Sequence, residues 1–344
     1  MRNPTIDDVA KRAGFSKATV SAVLNDSSKV KDSTRRKILD VMEDLNYRPR
    51  ASARNGFRPG ADRSLGLIIK EIDNPYYGQI VAGARSYAND RGYTVLTGSS
   101  EGDYEAEQRI VNVLKSKDVD GLIIVPLLDE EADLSYLFEL KRRNFPFVLL
   151  ESIRGVPASV IDIDNVAASK AATEYLIENG HERIVHFAGP HYSTHSAERI
   201  EGMRRAYSET SLVFSKDSII PTGAYAADGY RAALEYLRSV GRSRATAFSC
   251  YNDLVAIGVL RACNEMGLDV PGDVSVVGYD DIDLLEYLPL KLTTVRVPRF
   301  EMGRKAAELM IKHIESKEKL PPERIDLEAE LVIRESTRNI ASGG

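Results

Sequence analysis

Apolar residues follow two different spacings along the chain, and the change between them falls near residue 65. In the first 48 residues they recur every three or four positions, which is typical of helices with one buried face. From residue 65 onward, short apolar runs are followed by amphipathic helical segments. Such runs are buried on both faces, so the alternation predicts parallel sheets built from βαβ units. We therefore expect an all-α head over residues 1–48, a linker over 49–64 and an α/β core over 65–344.

The stretch from Asp7 to Asn25 predicts a helix-turn-helix. Thr5 can cap the first helix together with Asp8, and Gly14 ends it. Ser16 can cap a second helix, whose outward side chains are small, polar or basic. A face of that kind can enter the major groove of DNA. An ordinary helical hairpin is the alternative, because short helix pairs are common.

A third helix is expected to begin at Asp32 or Ser33 and to run up to Tyr47, with an apolar stripe formed by Ile38, Leu39, Met42 and Leu45. The following residues, 49–64, hold two glycines and two prolines and have the composition of a linker. One interpretation is a disordered basic connection. The other is a segment that orders on DNA and follows the backbone or a narrow minor groove through Arg50, Arg54 and Arg58.

The alternation of strands and helices begins again after the run VIDIDN, which predicts two similar lobes. The first lobe has strands LGLIIK, TVLTG, GLIIVP and FVLLE and helices near residues 77–91, 105–116 and 134–144. The second has strands IVHFAG, SIIP, ATAFSC and VSVVGYDD and helices near 167–179, 199–210, 228–240 and 253–266. Ligands of open parallel sheets bind outside the carboxyl ends of the strands. The residues that directly follow each run are therefore the candidates for a binding site.

The candidates at these positions are polar or aromatic: Asp73, Asn74, Tyr76, Tyr77, Glu151, Ser193, Arg199, Tyr225, Asn252, Asp253, Asp280 and Asp281. Such groups suit a small polyhydroxylated or heterocyclic ligand, because each buried polar group then finds a partner. The glycine-rich patterns that cradle phosphates do not occur. Each residue taken alone fits an ordinary surface loop equally well. Their recurrence at strand ends is what favours a site.

The charge of the chain is unevenly distributed. The formal net charge is -5, which by itself argues against binding to nucleic acid. Residues 1–63, however, carry 14 Lys and Arg against 8 Asp and Glu, whereas the remainder carries 32 against 43. This segregation suits a basic head that engages phosphates and an acidic body kept away from the duplex.

The amino-acid composition argues against several other classes of protein. With 43% hydrophobic and 28% charged residues the chain is ordinary for a globular protein, which argues against disorder and membrane spans. The two cysteines, Cys250 and Cys263, and the five histidines lack metal-ligand spacing, so we expect neither a metal nor another cofactor. No secretory leader precedes Arg2, and the cytoplasm is the expected compartment.

The chain resembles the LacI/GalR family of bacterial transcription regulators over essentially its whole length. The resemblance is carried by IDDVAKRAGFSKATVSAVLN, LNYRPRASAR, DNPYYGQIVAGAR, KDVDGLIIVP, IDNVAASKAATEYLIENGHERIVHFAG, ERIEGM, YNDLVAIGVLRACNEMGLDVPGDVSVVGYDDID and LTTVRVPRFEMG. It implies a homodimer that binds a pseudopalindromic operator, with a core similar to periplasmic sugar-binding proteins. The effector implied is a small molecule, with a sugar as the leading candidate, and its binding between the lobes alters DNA affinity.

The resemblance also implies three crossovers between the lobes. They place lobe one at about residues 65–161 and 292–322, and lobe two at about 162–291 and 323–340. The effector-binding residues it implies are Asn74, Tyr76, Tyr77, Glu151, Ser193, Arg199, Tyr225, Asn252 and Asp280. Glu151 is the weakest match, because its family counterpart is usually a shorter aspartate or a different residue.

In the head, the resemblance gives Lys17, Ala18 and Ala22 the base-reading positions and gives Ser16, Thr19, Ser21 and Asn25 the phosphate contacts. Thr5, Tyr47, Arg50, Arg54 and Phe57 complete the expected DNA-binding set. Two positions depart from the family pattern. Gly56 stands where members usually place the leucine that wedges open the minor groove, and Phe57 is a candidate replacement one residue later. Ala22 can contact only a thymine methyl, so base discrimination depends more on Lys17.

Two other classes fit parts of the pattern. A carbohydrate-binding protein for transport would share the core, although it would have no use for a basic head. An α/β enzyme could use Asp280 and Asp281 as an acid–base pair, but no nucleophile accompanies them. The sequence leaves open a nucleoside effector, a co-regulator protein, a state higher than the dimer, and whether the effector releases or promotes operator binding.

Overall fold

A computed structural model of the protein describes residues 5–24, 30–45, 63–128, 133–153, 155–191, 193–240 and 245–341. The head contains the helices α1 (Ile6–Ala13), α2 (Lys17–Leu24) and α3 (Asp32–Asp44). The expected capping box of α1 is present, since the Thr5 backbone N–H donates to Asp8 at 2.7 Å and the Asp8 backbone N–H donates back to the Thr5 hydroxyl. Gly14 ends α1 in a left-handed conformation with φ of 76°, which an L-residue rarely adopts. The predicted helix-turn-helix is thus formed by local signals.

The head has its own apolar core, made of Val9, Ala10, Ala13, Val20, Val23, Leu24, Ile38 and Met42. One member of the expected stripe on α3 does not belong to it, because Leu39 is 47% exposed. Successive helical residues point about 100° apart, so Leu39 cannot share the inward face set by Ile38 and Met42. The expectation for Leu39 was therefore wrong.

The strands and helices of the core follow the predicted alternation. In chain order they are β1 (Arg63–Ile69), α4 (Pro75–Asp90), β2 (Tyr93–Ser99), α5 (Tyr104–Ser116), β3 (Gly121–Ile124), α6 (Ser135–Arg142), β4 (Phe147–Leu149), β5 (Ser159–Ile163), α7 (Asn165–Glu178), β6 (Ile184–Ala188), α8 (Thr194–Ser208), β7 (Ile219–Pro221), α9 (Ala226–Val240), β8 (Ala247–Cys250), α10 (Asp253–Glu265), β9 (Ser275–Asp280), β10 (Thr293–Arg296), α11 (Arg299–Glu315), β11 (Arg324–Leu327) and β12 (Glu330–Val332). Short 3-10 turns occupy Lys216–Ser218 and Asp283–Tyr287. The helix expected near residue 199 begins at Thr194, because Ser193 caps it there.

These elements form two six-stranded sheets, one in each lobe. Lobe one has the strand order β11-β5-β4-β3-β1-β2, and every neighbouring pair is parallel. Lobe two has the order β12-β10-β9-β8-β6-β7, in which only β12 pairs antiparallel. An apolar cluster with members from both lobes connects them, and each lobe has a second cluster of its own. The expected fold class, a helical head before two parallel-sheet lobes, is confirmed.

The strand pairing corrects the expected lobe boundaries. β10 was assigned to lobe one, but it extends the sheet of lobe two beside β9. β11 was assigned to lobe two, but it pairs with β5 in lobe one. The chain thus returns to lobe one after Arg296 and leaves it after Leu327. The sequence did not show this, because both strands are short and the residue pattern of neither indicates which of the two sheets it joins. Among the described residues, no helix is both long and apolar enough to cross a membrane.

Candidate functional site

A cavity lies between the lobes at the carboxyl ends of their parallel strands. Lobe one contributes Lys70, Asn74 and Tyr76, and lobe two contributes Arg199 and Asp280, among other residues. Its volume is about 70 Å³. Small-molecule sites are commonly larger, with volumes of roughly 300–1,000 Å³. A ligand of that class would therefore occupy this space only after side chains or lobes move apart.

Arg199 and Asp280 form the polar centre of the cavity. Arg199 lies on α8 and is buried, with its guanidinium carbon 3.6 Å from the ring centroid of Tyr279 and 4.7 Å from that of Tyr251. One of its nitrogens donates to the carbonyl of Tyr251, and another lies 3.7 Å from Asp280 Oδ1. Stacking between two rings fixes the plane of the guanidinium. Arg199 therefore offers donors in one set direction.

The backbone that carries Asp280 is strained. Asp280 has φ of 107° and Asp281 has φ of 54°, and both values lie in the left-handed region that favours glycine. Two arginines hold the Asp281 carboxylate, Arg296 at 2.7 Å and Arg334 at 2.7 Å, while Arg299 donates to the Asp281 carbonyl at 2.6 Å. Strain of this kind persists where surrounding contacts over-determine it, and it is concentrated at functional sites.

The carboxylate of Asp280 has one oxygen with an unfilled hydrogen-bonding position. Its Oδ1 atom is buried and has no hydrogen-bond partner among the described residues. Burial raises the pKa of Asp280 to about 6, although Arg199 and Arg299 act in the opposite direction. A buried acceptor without a partner is costly, and a ligand that donates a hydrogen bond would remove that cost.

Three expected effector-binding residues serve as helix caps in the structure. Asn74 accepts the backbone N–H of Tyr76 at the start of α4, and Ser193 accepts that of Ser196 at the start of α8. Asn252 accepts the backbone N–H of Val255 at the start of α10 and donates to the carbonyl of Ala224. All three line the cavity. Their polar atoms hold the helix ends in place, so a ligand would share or displace these bonds.

Glu151 has a different environment from the one expected of an effector ligand. Lys70 Nζ donates to its Oε2 at 2.9 Å, and the hydroxyl of Thr194, in lobe two, donates to its Oε1. Burial alone would raise the pKa of Glu151, but His195, Lys70 and the hydroxyl of Thr194 together lower it to about 2. His195 Nε2 lies 3.6 Å away, and burial lowers the pKa of His195 to about 4. Glu151 is therefore an ionised bridge between the lobes.

Two of the three candidate tyrosines line the cavity, and the third lies outside it. Tyr76 and Tyr77 pack edge to face with centroids 5.1 Å apart, and both line the cavity. Burial raises the pKa of Tyr76 above its ordinary value, so its hydroxyl stays protonated. Tyr225 does not line this cavity. Its hydroxyl donates to Asp73 of lobe one at 3.4 Å and so connects the lobes.

The structure adds residues that the sequence analysis missed. Lys70 and Tyr251 directly follow β1 and β8, and both line the cavity. The strand-end criterion would have selected them, but Lys70 was counted with its strand and Tyr251 was passed over. His195 also lines the cavity, and it carried no signal because it lies inside a helix that was predicted to begin later.

The exposed face of α2 has the composition expected of a DNA-reading helix. Lys17 and Ala18 are exposed, Ala22 is half-buried, and Lys17 Nζ lies 3.0 Å from Asp7 in an exposed ion pair. Ser16 caps the helix by accepting the backbone N–H of Thr19 at 3.1 Å. The structure describes Ser21 as half-buried. Six residues expected to contact DNA lie outside the described residues: Asn25, Tyr47, Arg50, Arg54, Phe57 and Arg58.

Asp281, the second carboxylate of the acid–base pair considered from the sequence, has other partners. Asp281 is bound by two arginines, so it does not form an acid–base pair with Asp280. Within the part of the chain that the structure describes, no group of three His, Cys, Asp or Glu residues is placed to hold a metal ion. The arrangement is suited to binding through hydrogen bonds and stacking.

Comparison with known proteins finds one family match in the head and one in the core. Residues 5–50 match the family described as bacterial regulatory proteins, lacI family. Residues 173–337 match the periplasmic binding protein-like domain. The first match contains the helix-turn-helix, and the second covers most of lobe two together with the returning segment of lobe one.

Individual relatives extend these matches to nearly the whole chain. The HTH-type transcriptional repressor PurR of Aliivibrio fischeri is 33% identical over 338 residues, which cover 97% of this chain and 98% of that protein. A structure of the transcriptional regulator CelR in complex with cellobiose is 30% identical, with a TM-score of 0.71, and covers 97% of this chain and 99% of the other. The lac repressor dimer bound to operator and the anti-inducer ONPF is 27% identical, with a TM-score of 0.72, and covers 98% and 100%.

Proposed function

This chain belongs to the LacI family of DNA-binding transcription repressors. We propose that its affinity for operator DNA is controlled by a sugar that binds between Arg199 and Asp280. The relatives are regulators and not enzymes. The chain is accordingly a DNA-binding transcription repressor with an effector-binding domain. The chemistry of its effector and its assembly are the parts that we infer.

The observation that carries the proposal is the unpartnered Oδ1 of Asp280 beside the fixed guanidinium of Arg199. A sugar hydroxyl can donate to a carboxylate while accepting from a neighbouring donor, so one hydroxyl satisfies both groups. The rings of Tyr76 and Tyr77 supply apolar surface for the C–H face of a sugar. Cellobiose and ribose are the ligands named for two structures similar to this chain.

Effector control requires that the ligand prefer one arrangement of the lobes. The bonds from Thr194 to Glu151 and from Tyr225 to Asp73 cross between the lobes, and a ligand in the cavity competes with or reinforces them. Coupling between two sites in typical allosteric proteins amounts to about 1–3 kcal/mol. Such a difference would change operator affinity by roughly 5–150-fold.

The repressor is proposed to act as a homodimer on a pseudopalindromic operator. A single head makes few phosphate contacts, whereas two linked heads reach half-sites about one helical turn apart. The lac repressor structure, which covers nearly all of this chain, is a dimer bound to its operator. Lys17 is expected to read bases from α2, while Ser16 and Thr19 contact phosphates.

The test measures operator binding by fluorescence anisotropy, with a duplex selected by the purified protein from random DNA. A panel of sugars and nucleosides is first screened by thermal shift, because a ligand that binds the folded state raises the melting temperature. We expect a sugar to shift the melting temperature and to change operator affinity. Arg199→Ala should abolish both effects and leave operator binding measurable, because Arg199 lies in the core and not in the head.

Arg204→Ala is the matched control, since Arg204 lies on the same helix but is exposed and pairs with Glu201. It should retain the full sugar response. A response of Arg199→Ala at unchanged sugar concentration would contradict the assigned site. A shift produced by nucleosides alone would replace the sugar with that class.

A further inference from the structure

A second cavity of about 540 Å³ lies at the carboxyl ends of β6 and β7 in lobe two. Part of its lining is apolar, contributed by Ile200 of α8 and by Ile219 and Pro221 of β7. Carboxylates and a hydroxyl add to it: Glu71, Thr222 and Asp228. Its volume falls within the range of roughly 300–1,000 Å³ that is common for small-molecule sites.

This cavity adjoins the one between the lobes. Glu71, Pro190 and Ala224 line both. Asn74 Nδ2 donates to Glu71 Oε2 at 3.2 Å, so the cap of α4 holds this carboxylate at the junction. A ligand anchored at Arg199 and Asp280 that extends past Glu71 therefore enters the second cavity.

Tyr225 is fixed at the same junction. Its hydroxyl reaches Asp73 of lobe one at 3.4 Å, and its backbone N–H donates to Asp228 Oδ2 at 3.3 Å. Asp228 is in turn paired with Arg231. The ring of Tyr225 is thus held in the wall of the second cavity, where an aromatic ring can pack against the C–H face of a sugar.

We propose that the second cavity is a subsite for the second ring of a disaccharide effector whose first ring lies between Arg199 and Asp280. The inference rests on the proposed function, because it assumes a sugar at the inner site. Glu71 and Asp228 accept hydrogen bonds from hydroxyl groups, while Ile200, Ile219 and Pro221 cover the apolar face of the ring. The inner cavity of about 70 Å³ is much the smaller of the two, so a two-ring ligand uses space that a monosaccharide would leave unfilled.

The experiment compares monosaccharides with their disaccharides by isothermal titration calorimetry of the full chain. Glucose is paired with cellobiose, maltose and trehalose, and galactose with lactose and melibiose. We expect one disaccharide to bind at least about tenfold more tightly than its monosaccharide. Ala197→Phe places a ring in the second cavity from an exposed position on α8. It should remove that gain and leave monosaccharide binding unchanged.

Ala171→Phe is the matched control, because Ala171 is exposed on α7 and lines neither cavity. It should bind both sugars as the wild type does. Equal affinity for each monosaccharide and its disaccharides, or an unchanged disaccharide affinity in Ala197→Phe, would overturn the subsite alone. If nucleosides bind and no sugar of either size does, the proposed effector class fails and the subsite fails with it.

Discussion

At the scale of single residues, Asp280 combines two energetically unfavourable features with a proposed role in effector binding. Its backbone is in a strained conformation, and its carboxylate is buried beside an unfilled hydrogen-bond position. A raised carboxyl pKa means that the folded state binds the proton more tightly than the unfolded state. The contribution of Asp280 to stability therefore falls as the pH rises from its ordinary pKa of 3.8 to about 6. Binding sites commonly retain such groups at a cost in stability.

The pKa of Asp280 predicts how effector affinity depends on pH. Only the ionised carboxylate accepts a sugar hydroxyl at both oxygens, so affinity should fall as the pH drops below about 6. The limiting loss is about tenfold per pH unit, since one pKa unit corresponds to about 1.4 kcal/mol. Asp280→Asn should bind weakly and lose this dependence. Calorimetric titrations between pH 5 and 8 measure both.

Glu198→Gln serves as the control for that titration. Burial and the charge of Asp162 raise the pKa of Glu198 to about 7, and Glu198 does not line the cavity. This variant should keep the slope of the wild type. A slope that disappears in Glu198→Gln, or a wild-type affinity that is equal at pH 5 and pH 7, would show that Asp280 does not set the dependence.

At the scale of elements, the main helix pairs of the core are packed closely through glycines. A Cβ at Gly83 of α4 would overlap the carbonyl of Phe300 on α11, and one at Gly303 of α11 would overlap the carbonyl of Ile80 on α4. The pair of α7 and α8 uses Gly202 in the same way, and the pair of α9 and α10 uses Gly229 and Gly258. These glycines let the backbones approach, and so they fix how the helices sit behind each sheet.

Gly303→Ala should destabilise lobe one by about 1–3 kcal/mol, the usual cost of overpacking a tight contact. Gly78→Ala is the matched control, because a Cβ at Gly78 on α4 would meet nothing within 4 Å. It should be neutral or stabilise the protein by up to about 1 kcal/mol through helix propensity. Urea denaturation gives both values, and a Gly303→Ala midpoint equal to that of the wild type would refute the close-packing argument.

At the scale of the whole molecule, lobe two presents an apolar surface that is suited to a second copy of the chain. Tyr287 is 85% exposed, and Leu284 in the same 3-10 turn is also exposed. A groove of about 450 Å³ continues from this turn along α10. Its lining is mostly apolar, with Ile257, Leu260, Leu268, Val270, Leu288, Pro289 and Leu290, and the remaining positions are Arg261, Asn264 and Asp269. Contiguous exposed apolar surface marks interaction sites. The proposed dimer gives this surface a partner.

Tyr287→Glu should therefore shift the protein from dimer to monomer in sedimentation velocity. Operator affinity should fall with it, because an isolated head loses the linked second half-site. Val213→Glu is the control, since Val213 is 87% exposed and lies outside this surface. A Tyr287→Glu protein that remains dimeric with unchanged operator affinity would place the interface elsewhere.

Much of the fold could be predicted because its signals are local. The capping box of Thr5 and Asp8, the end of α1 at Gly14 and the apolar run of each strand all act within a few residues. The expected strand runs therefore correspond to strands in the structure. Prediction failed for β10 and β11, which are short and were each assigned to the other lobe. Their pairing depends on which sheet has a free edge, which is not a local property.

For the candidate site, too, local features could be predicted and long-range contacts could not. The sequence by itself determined that polar and aromatic residues follow the buried strands, because the end of each apolar run shows where a strand ends. Only the tertiary structure decided that Glu151 bridges the lobes through Lys70 and Thr194, that Asn252 donates to the carbonyl of Ala224, and that Asp280 keeps an oxygen without a hydrogen-bond partner. Those roles depend on atoms far apart in the chain, and they are set when two sheets meet with their strand ends facing one another.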